Sequence, residues 1–228
     1  MDKDIVLIPG ALATHKLWYQ QELFFRKSKQ FHHVDVLNSS SIEEMATRFI
    51  SIAPKKFTLV GFSMGGHVAL DLYRYIPEQI EKLILINTAA KLVSGQGKIE
   101  RERSIDLMTK GKFDLLIKLI FKNSIYNKEK HSDLLPLVQE MALKVGATNY
   151  QKQLNAILMK PDQSSLLNLI TCPTLLVASK QDNIMPVERA EHLAKNIKHS
   201  ELLYLENCGH LAMLEEPDKI NKLLSDWL

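Results

Sequence analysis

The sequence has only two cysteines among its 228 residues, Cys172 and Cys208. Two thiols cannot form the set of bridges that holds a small secreted domain together, so a disulfide scaffold is excluded. No apolar run approaches the roughly 20 residues that a membrane helix needs. The first apolar run, at residues 5–8, follows the mixed charges of residues 1–4 and is too short for the hydrophobic region of a secretory signal. We therefore expect a cytoplasmic protein with reduced thiols and no membrane partner.

An excess of charge of one sign is also missing. Lysine and arginine number 29 against 26 aspartate and glutamate residues, and a net charge of +3 is too small to predict nucleic-acid binding. The patterns H-E-x-x-H, G-x-x-x-x-G-K and G-x-G-x-x-G are absent, so we expect neither a metal site nor a phosphate-binding loop. What is present is a chain of ordinary globular composition, 46% apolar and 24% charged, with the length of one domain.

Short apolar runs alternate with amphipathic segments in the first 90 residues, as in a parallel sheet whose two faces are covered by helices. The runs predict strands at residues 5–8, 33–37, 57–60 and 83–86. Helices are predicted after the caps Thr14 and Ser41 and over residues 67–75. The first helix is expected to bury one apolar face, formed by Leu17, Trp18, Leu23 and Phe24.

The alternation stops at about residue 91 and resumes after residue 163. The intervening segment has no strand pattern and contains four successive amphipathic helical stretches. Strands are then predicted at residues 174–178 and 201–205, and helices at residues 187–195 and 217–228. The sequence thus predicts an α/β fold with a mostly parallel sheet of about six strands. Residues 1–90 and 164–228 form its core, and residues 91–163 form an all-helical insertion.

The insertion is the part of the chain with a net positive charge, with 13 lysine and arginine residues against 8 acidic ones. Such a segment is often a solvated helical surface, but it can also steer anionic substrates toward a site beneath it. Its two apolar stripes are formed by Phe113, Leu116, Ile117 and Ile120 and by Tyr150, Leu154, Ile157 and Leu158. Part of this apolar surface is expected to roof a pocket, which predicts a largely apolar acyl group of small to medium size.

Residues 61–65 read Gly-Phe-Ser-Met-Gly, a G-x-S-x-G pattern between a predicted strand and a predicted helix. This context is typical of a nucleophile elbow, a sharp turn that exposes a serine hydroxyl above the end of the sheet. The glycines let strand and helix approach closely, and the helix N-terminus adds a positive partial charge beneath the reacting centre. Ser63 is therefore the candidate nucleophile.

A serine hydroxyl needs a base, and an elbow of this kind is followed along the chain by the acid and then the histidine. His210 is the best base, because it follows the last predicted strand and so lies at the carboxyl end of the sheet. Asp182 is the best acid, since it follows the strand at residues 174–178. The alternative position for the acid, at Asn87 and Thr88, has no carboxylate.

The anionic oxygen that develops during acyl transfer needs two backbone N–H donors. One is expected from Met64, directly after the nucleophile, and the other from the loop after the first strand. Ala11 is favoured as the second donor, with Leu12 as the alternative.

The chain resembles the α/β-hydrolase superfamily over nearly its whole length. Residues 182–186, Asp-Asn-Ile-Met-Pro, are similar to the family's acid loop, and residues 209–217, Gly-His-Leu-Ala-Met-Leu-Glu-Glu-Pro, to its histidine segment. Many members have His-Gly in the oxyanion loop, where this chain has Pro9-Gly10. The resemblance implies that the insertion is a helical cap and that no cofactor is required. Ser63 sets the chain apart from the branches whose nucleophile is aspartate.

The sequence thus predicts a serine hydrolase that cleaves a small carboxylic ester or thioester through an acyl-enzyme. Its expected partner is a small molecule. Two other functions stay open at this point. A carbon–carbon bond hydrolase or a proton-abstracting lyase uses the same fold and triad, and a ligand-binding protein uses the same pocket without turnover.

Overall fold

The computed structural model describes residues 4–228, so the residues 1–3 that contribute to the prediction of a cytoplasmic protein lie outside it. The described residues form one sheet of six parallel strands, which lie side by side in the order β2-β1-β3-β4-β5-β6. The strands are β1 (Asp4–Ile8), β2 (Gln30–His33), β3 (Phe57–Phe62), β4 (Ile80–Ile86), β5 (Thr174–Ser179) and β6 (Ser200–Leu205). The predicted α/β fold with about six strands is confirmed.

Ten α-helices lie in residues 4–228. Those between or after the strands of the sheet are α1 (Tyr19–Phe25), α2 (Ile42–Ile50), α3 (Met64–Tyr75), α8 (Glu188–Asn196), α9 (Ala212–Glu215) and α10 (Pro217–Trp227). The helices α2, α3 and α8 pack on one face of the sheet, and α1 and α10 pack on the other. Because both faces are covered, the central strands are buried throughout: every residue of β3 and β5 is buried.

Alternate residues of the strands belong to two different cores. Leu59 and Leu83 pack with α2 and α3, whereas Val60 and Ile84 pack with the helices of the opposite face. This alternation follows from the period of two along a strand. Because the strands are parallel, the carboxyl ends of β3, β4, β5 and β6 lie at the same edge of the sheet, where the loops after them meet.

Helices alone connect β4 to β5 in the described chain. They are α4 (Gly95–Thr109), α5 (Phe113–Ser124), α6 (Leu135–Met159) and α7 (Ser164–Leu167). Helix α6 is interrupted at Gly146, whose φ of 76° and ψ of 158° are not helical, so it runs as two segments. A third apolar cluster fills this region, with Leu116 and Ile117 from α5 against Ala142 and Leu154 from α6. These helices sit over the carboxyl-end loops of the sheet.

The second strand differs from its prediction. It spans Gln30–His33 instead of residues 33–37, because its neighbour β1 ends at Ile8 and Pro9 has no N–H to continue the ladder. Val34 and Val36 are nevertheless buried, so the alternation that suggested a strand continues past the end of the strand pairing.

The first predicted helix also differs. The chain forms a 3₁₀ turn at His15–Trp18 before α1 begins at Tyr19, and the tighter turn rotates the face that follows. Trp18 is fully buried as expected, but Leu23 and Phe24 are 42% and 58% exposed, so their predicted inward placement is wrong. Among residues 4–228, no helix combines the length and the apolar character needed to cross a membrane.

Candidate active site

Ser63 occupies a sharp turn between β3 and α3. Its φ of 52° lies in the left-handed region, which is uncommon for a residue with a side chain and marks a strained turn. The turn is possible only because glycines surround it. A Cβ on Gly65 would lie 2.3 Å from the Ile8 carbonyl oxygen, and one on Gly66 would lie 2.3 Å from the Thr88 hydroxyl. The predicted strand, turn and helix around Ser63 are all present.

Backbone contacts hold the turn in place. The Ser63 N–H donates to the Ile86 carbonyl at 3.0 Å, and the Thr88 hydroxyl donates to the Ser63 carbonyl at 2.7 Å. Both partners come from the end of β4 and the residues after it, so the neighbouring strand fixes the serine. The Ser63 side chain is thereby left at the carboxyl edge of the sheet.

Ser63, His210 and Asp182 form a continuous chain of hydrogen bonds. The Ser63 Oγ lies 3.0 Å from the His210 Nε2, and the His210 Nδ1 lies 2.6 Å from the Asp182 Oδ2. The other oxygen of Asp182 accepts from the N–H groups of Ile184 at 2.7 Å and Met185 at 2.9 Å. Both carboxylate oxygens are therefore engaged, and the imidazole is held between Asp182 and the Ser63 hydroxyl. The structure brings together the three side chains that the sequence singles out.

The loop that carries His210 is held by a second buried carboxylate. Glu215 accepts from the N–H of Gly209 at 3.0 Å and from that of Tyr126 at 2.8 Å. Burial raises the pKa of Glu215, and the two N–H donors oppose that rise. The His210 N–H donates to the Ser124 carbonyl at 2.7 Å. The end of α5 and the segment after it thus contact the histidine loop directly.

Asn87 is a residue of this site that the sequence analysis missed. It follows β4 with a φ of 45°, and its Nδ2 donates to the His210 carbonyl at 2.9 Å and to the Ser179 hydroxyl at 3.0 Å. Its Oδ1 accepts from the Ser179 N–H at 2.8 Å. Asn87 therefore joins the ends of β4 and β5 to the histidine loop. Its position directly after β4 was the available signal, but that position was considered only as a place for the catalytic acid.

The two alternatives for the second oxyanion donor differ in their hydrogen bonds. The Leu12 N–H already donates to the Gln153 Oε1 at 3.0 Å, with a Leu12 φ of 61°. No described group accepts from the Ala11 N–H, and Ala11 borders the cavity that contains Ser63. Met64 opens α3, where the first N–H groups of a helix have no intrahelical acceptor. This pattern favours Ala11 and Met64.

A cavity of about 380 Å³ opens above Ser63 and His210. The helices α4, α5 and α6 form its roof, and Phe62, Ile184 and Leu211 belong to its floor and walls. The lining is mostly apolar, and five residues of the predicted stripes contribute to it: Leu116, Ile120, Tyr150, Leu154 and Ile157. The charged side chains on the roof come from α4 alone, with Glu100, Arg101 and Arg103.

A second cavity of about 630 Å³ lies on the other side of the loop after β1. It is lined by that loop, by residues 33–37 and by the first half of α6. Ala13 and Met141 border both cavities. This larger space contains neither Ser63 nor His210, both of which border the smaller cavity.

The two cysteines are buried and unpaired. Burial raises the pKa of the Cys172 thiol, and it raises the pKa of the Cys208 thiol to about 12. Both thiols therefore stay neutral at physiological pH, and a neutral thiol is a poor nucleophile. In the described chain, no group of three or more His, Cys, Asp or Glu side chains is arranged to hold a metal ion.

We expect a Cys172→Ser/Cys208→Ser variant to retain the turnover of the parent protein within about twofold, because neither sulfur touches Ser63 or is ionised. The measurement is ester hydrolysis by the variant, with its fold checked by circular dichroism. Loss of all turnover in a folded double variant would contradict the assignment of the nucleophile to Ser63.

The parallel sheet, the strained serine turn and the hydrogen-bonded Ser63, His210 and Asp182 are the architecture of an α/β hydrolase. The model of the alpha/beta hydrolase family matches residues 5–223. The chain belongs to that family.

Its curated relatives are mainly hydrolases. A monoacylglycerol lipase of Xenopus laevis is 31% identical over 260 residues, which cover 100% of this chain and 76% of the relative. A monoacylglycerol lipase of Bos taurus is 27% identical over 265 residues, covering 98% of this chain and 74% of the relative. An AB hydrolase superfamily protein of Bacillus subtilis is 30% identical over 248 residues, covering 99% and 91%. These relatives support a hydrolase in the general sense, acting on a small molecule.

Solved structures share the fold. An esterase from Exiguobacterium antarcticum has a TM-score of 0.88 at 22% identity, covering 99% of this chain and 91% of its own. An enol-lactonase from Burkholderia xenovorans has a TM-score of 0.88 at 18% identity, covering 100% and 91%. At these identities the likeness establishes the fold alone.

Proposed function

We propose that the protein is a serine hydrolase that cleaves a small carboxylic ester, or a thioester, through an acyl-enzyme. The observation that carries this proposal is the unbroken hydrogen-bond chain from the Ser63 hydroxyl through His210 to Asp182, placed at the base of a largely apolar cavity. A serine so placed has a base within reach and an acid that orients the base. The reaction needs no cofactor.

In the first half of the reaction, the Ser63 oxygen attacks the carbonyl carbon while its proton passes to the His210 Nε2. Asp182 stabilises the imidazolium that forms and keeps the ring in the correct tautomer. The N–H groups of Met64 and Ala11 hold the oxygen that becomes negative. His210 then returns the proton to the leaving alcohol or thiol, which departs and leaves the acyl-enzyme. Water, activated by His210, attacks the acyl-enzyme and releases the carboxylic acid.

We also propose that residues 91–163 act as a cap and residues 1–90 and 164–228 as the core. The helices between β4 and β5 roof the cavity, and the Ser124 carbonyl holds the His210 N–H, so the cap takes part in positioning the histidine. A cavity of about 380 Å³ with apolar walls suits an acyl group of small to medium size. The substrate is a small molecule in the cytoplasm, with no nucleic acid or membrane involved.

The test is a burst assay with p-nitrophenyl esters whose acyl chains run from two to ten carbons, together with labelling by an alkyl fluorophosphonate. A serine hydrolase gives one equivalent of label on Ser63 and ester turnover with saturation. Labelling without ester turnover would favour a carbon–carbon bond hydrolase or lyase on the same three residues. The absence of both labelling and turnover would support a ligand-binding protein and overturn the proposal.

Met141 is expected to limit the length of the acyl chain, because it borders both the cavity above Ser63 and the larger one behind it. Met141→Ala should join the two spaces and shift the preference toward chains several carbons longer. Each added methylene that becomes buried favours the longer ester by about fourfold in kcat/KM, from about 0.8 kcal/mol of transfer energy. The measurement is kcat/KM across the p-nitrophenyl series.

The matched control is Leu143→Ala, which shortens an exposed side chain on the same helix α6 and touches neither cavity. Its chain-length profile should equal that of the parent. A Met141→Ala profile that also equals the parent, in a variant shown to be folded, would refute the role of Met141.

A further inference from the structure

The roof of the cavity contains a cation without a matching anion. Arg101 lies on α4, is half-buried and borders the same cavity as Ser63 and His210. Its Nη1 donates to the Gly97 carbonyl of its own helix at 2.9 Å. Its Nε is buried and has no hydrogen-bond partner. Within residues 4–228, no carboxylate lies at ion-pair distance from it, and the Gly97 carbonyl is its one hydrogen-bond acceptor.

Glu100 favours the charged form of Arg101 but makes no ion pair with it. Glu100 borders the cavity as well, but it is exposed, and it accepts from the Gln96 Nε2 at 3.1 Å. Burial lowers the pKa of Arg101, and nearby Arg189 lowers it further. A half-buried guanidinium with one backbone carbonyl as its partner is costly to a fold unless a ligand or ordered water completes its hydrogen bonds.

Other cations reinforce the positive potential at this end of the cavity. Lys160, Arg101 and Arg189 all lower the pKa of His67, which lies buried behind the site, in addition to the effect of burial itself. Lys160 donates only to backbone carbonyls, those of Ala90, Lys91 and Pro161. Asp162 and Asp71 offset part of the Lys160 charge, but neither borders the cavity, so the cavity end of Arg101 still favours an anion.

Tyr150 provides a second donor. It is buried on α6, borders the same cavity, and its hydroxyl makes no hydrogen bond with any described residue. Burial raises the pKa of Tyr150 to about 12 even though the Arg101 cation opposes that rise. The phenol therefore stays protonated and able to donate. A guanidinium and a phenol O–H that share one apolar cavity suit the two oxygens of a carboxylate.

We propose that Arg101, assisted by Tyr150, binds a carboxylate on the substrate, so that the preferred esters are anionic ones such as half-esters of dicarboxylic acids. This inference rests on the proposed function, because it takes the cavity above Ser63 as the substrate site. It adds a chemical class to that function. In such a half-ester, the distance between the carboxylate and the ester must match the span from Arg101 to Ser63. A series of half-esters of increasing chain length therefore measures that span.

The closing experiment measures binding without turnover. In a Ser63→Ala background, isothermal titration calorimetry compares monoethyl succinate, glutarate, adipate and suberate with the neutral ethyl alkanoates of equal chain length. The best half-ester should bind at least 10-fold more tightly than its neutral match. Arg101→Gln should abolish this preference, a loss of about 10- to 100-fold for a hydrogen-bonded charge. Arg101→Lys should keep part of it, and Tyr150→Phe should lose about 3- to 10-fold.

The matched control is Lys98→Gln, which removes one exposed positive charge from the same helix and does not border the cavity. At physiological salt it should change half-ester affinity by less than twofold, because exposed charges are screened within about 8–10 Å. If Lys98→Gln and Arg101→Gln weaken binding equally, the effect is general attraction by a basic surface, and the proposed site is wrong. If Arg101→Gln does not fold, Arg101→Lys and Tyr150→Phe decide the question in its place.

Three further outcomes are distinguishable. Half-esters that bind no more tightly than neutral esters overturn the inference and leave the serine hydrolase intact. Turnover of esters by Ser63→Ala overturns the hydrolase mechanism, whatever the calorimetry shows. Tighter binding of ethyl 4-phosphonobutyrate than of every half-ester overturns the assignment to a carboxylate in favour of a phosphorus oxyanion.

Discussion

Replacement of Ser63 by alanine is expected to lower kcat/KM for the best ester by about 10⁴-fold or more while the fold is retained. Alanine keeps the Cβ that the turn already accommodates at a φ of 52°, and it removes only the hydroxyl that faces His210 at 3.0 Å. The measurement is steady-state hydrolysis of p-nitrophenyl esters, with the midpoint of thermal unfolding as the check on folding. Turnover within tenfold of the parent would refute the proposed nucleophile.

Asp182→Asn and His210→Ala should each cause a comparable loss, because the three side chains act as one unit. The asparagine side chain would still fill the loop, but it would offer an N–H to the imidazole or hold it in the wrong tautomer. The double variant Ser63→Ala/His210→Ala should be no slower than about the single variants, since the loss of either group already removes the covalent route. Losses that multiply in the double variant would mean that the two residues act separately.

The sequence predicted most of this site because each element leaves a local signal. The elbow is a five-residue pattern, and the strand before it and the helix after it can be predicted from the apolar run and the helical periodicity alone. The candidates Asp182 and His210 follow from one rule, that the carboxyl ends of neighbouring parallel strands share an edge of the sheet. β4, β5 and β6 are neighbours in the structure, as that rule requires. The catalytic roles of the three side chains stay predictions.

What the sequence did not reveal depends on packing between distant segments. Asn87 gains its role only because β4 lies beside β5 and because the histidine loop folds across both. Arg101 is one of thirteen basic residues in the insertion, and only the three-dimensional arrangement shows that it borders the cavity and has a buried Nε without a hydrogen-bond partner. The second strand was misplaced for a related reason, since Val34 and Val36 are buried although they lie beyond the end of the strand.

Gly65→Ala is expected to destabilise the protein by about 3 kcal/mol or more and to remove its activity. The added methyl would lie 2.3 Å from the Ile8 carbonyl oxygen and 2.7 Å from that of Pro9. Both are backbone atoms, one at the end of β1 and one in the loop that follows it. Neither can rotate away as a side chain would, so α3 and the loop must move apart. The measurement is the free energy of unfolding in urea, together with ester turnover.

The matched control for that substitution is Gly95→Ala, which adds the same methyl at the start of α4, where nothing lies within 4 Å of it. Its free energy of unfolding should stay within about 0.5 kcal/mol of the parent, and alanine's better helix propensity acts in the favourable direction. If Gly65→Ala proves as stable as Gly95→Ala, the close approach of α3 to β1 is not the constraint that shapes the elbow. If Gly65→Ala folds but is inactive, the loss of activity does not result from unfolding. The loop that begins at Pro9, for which we propose an oxyanion donor, would then have shifted while the sheet held, and that displacement alone would account for the lost rate.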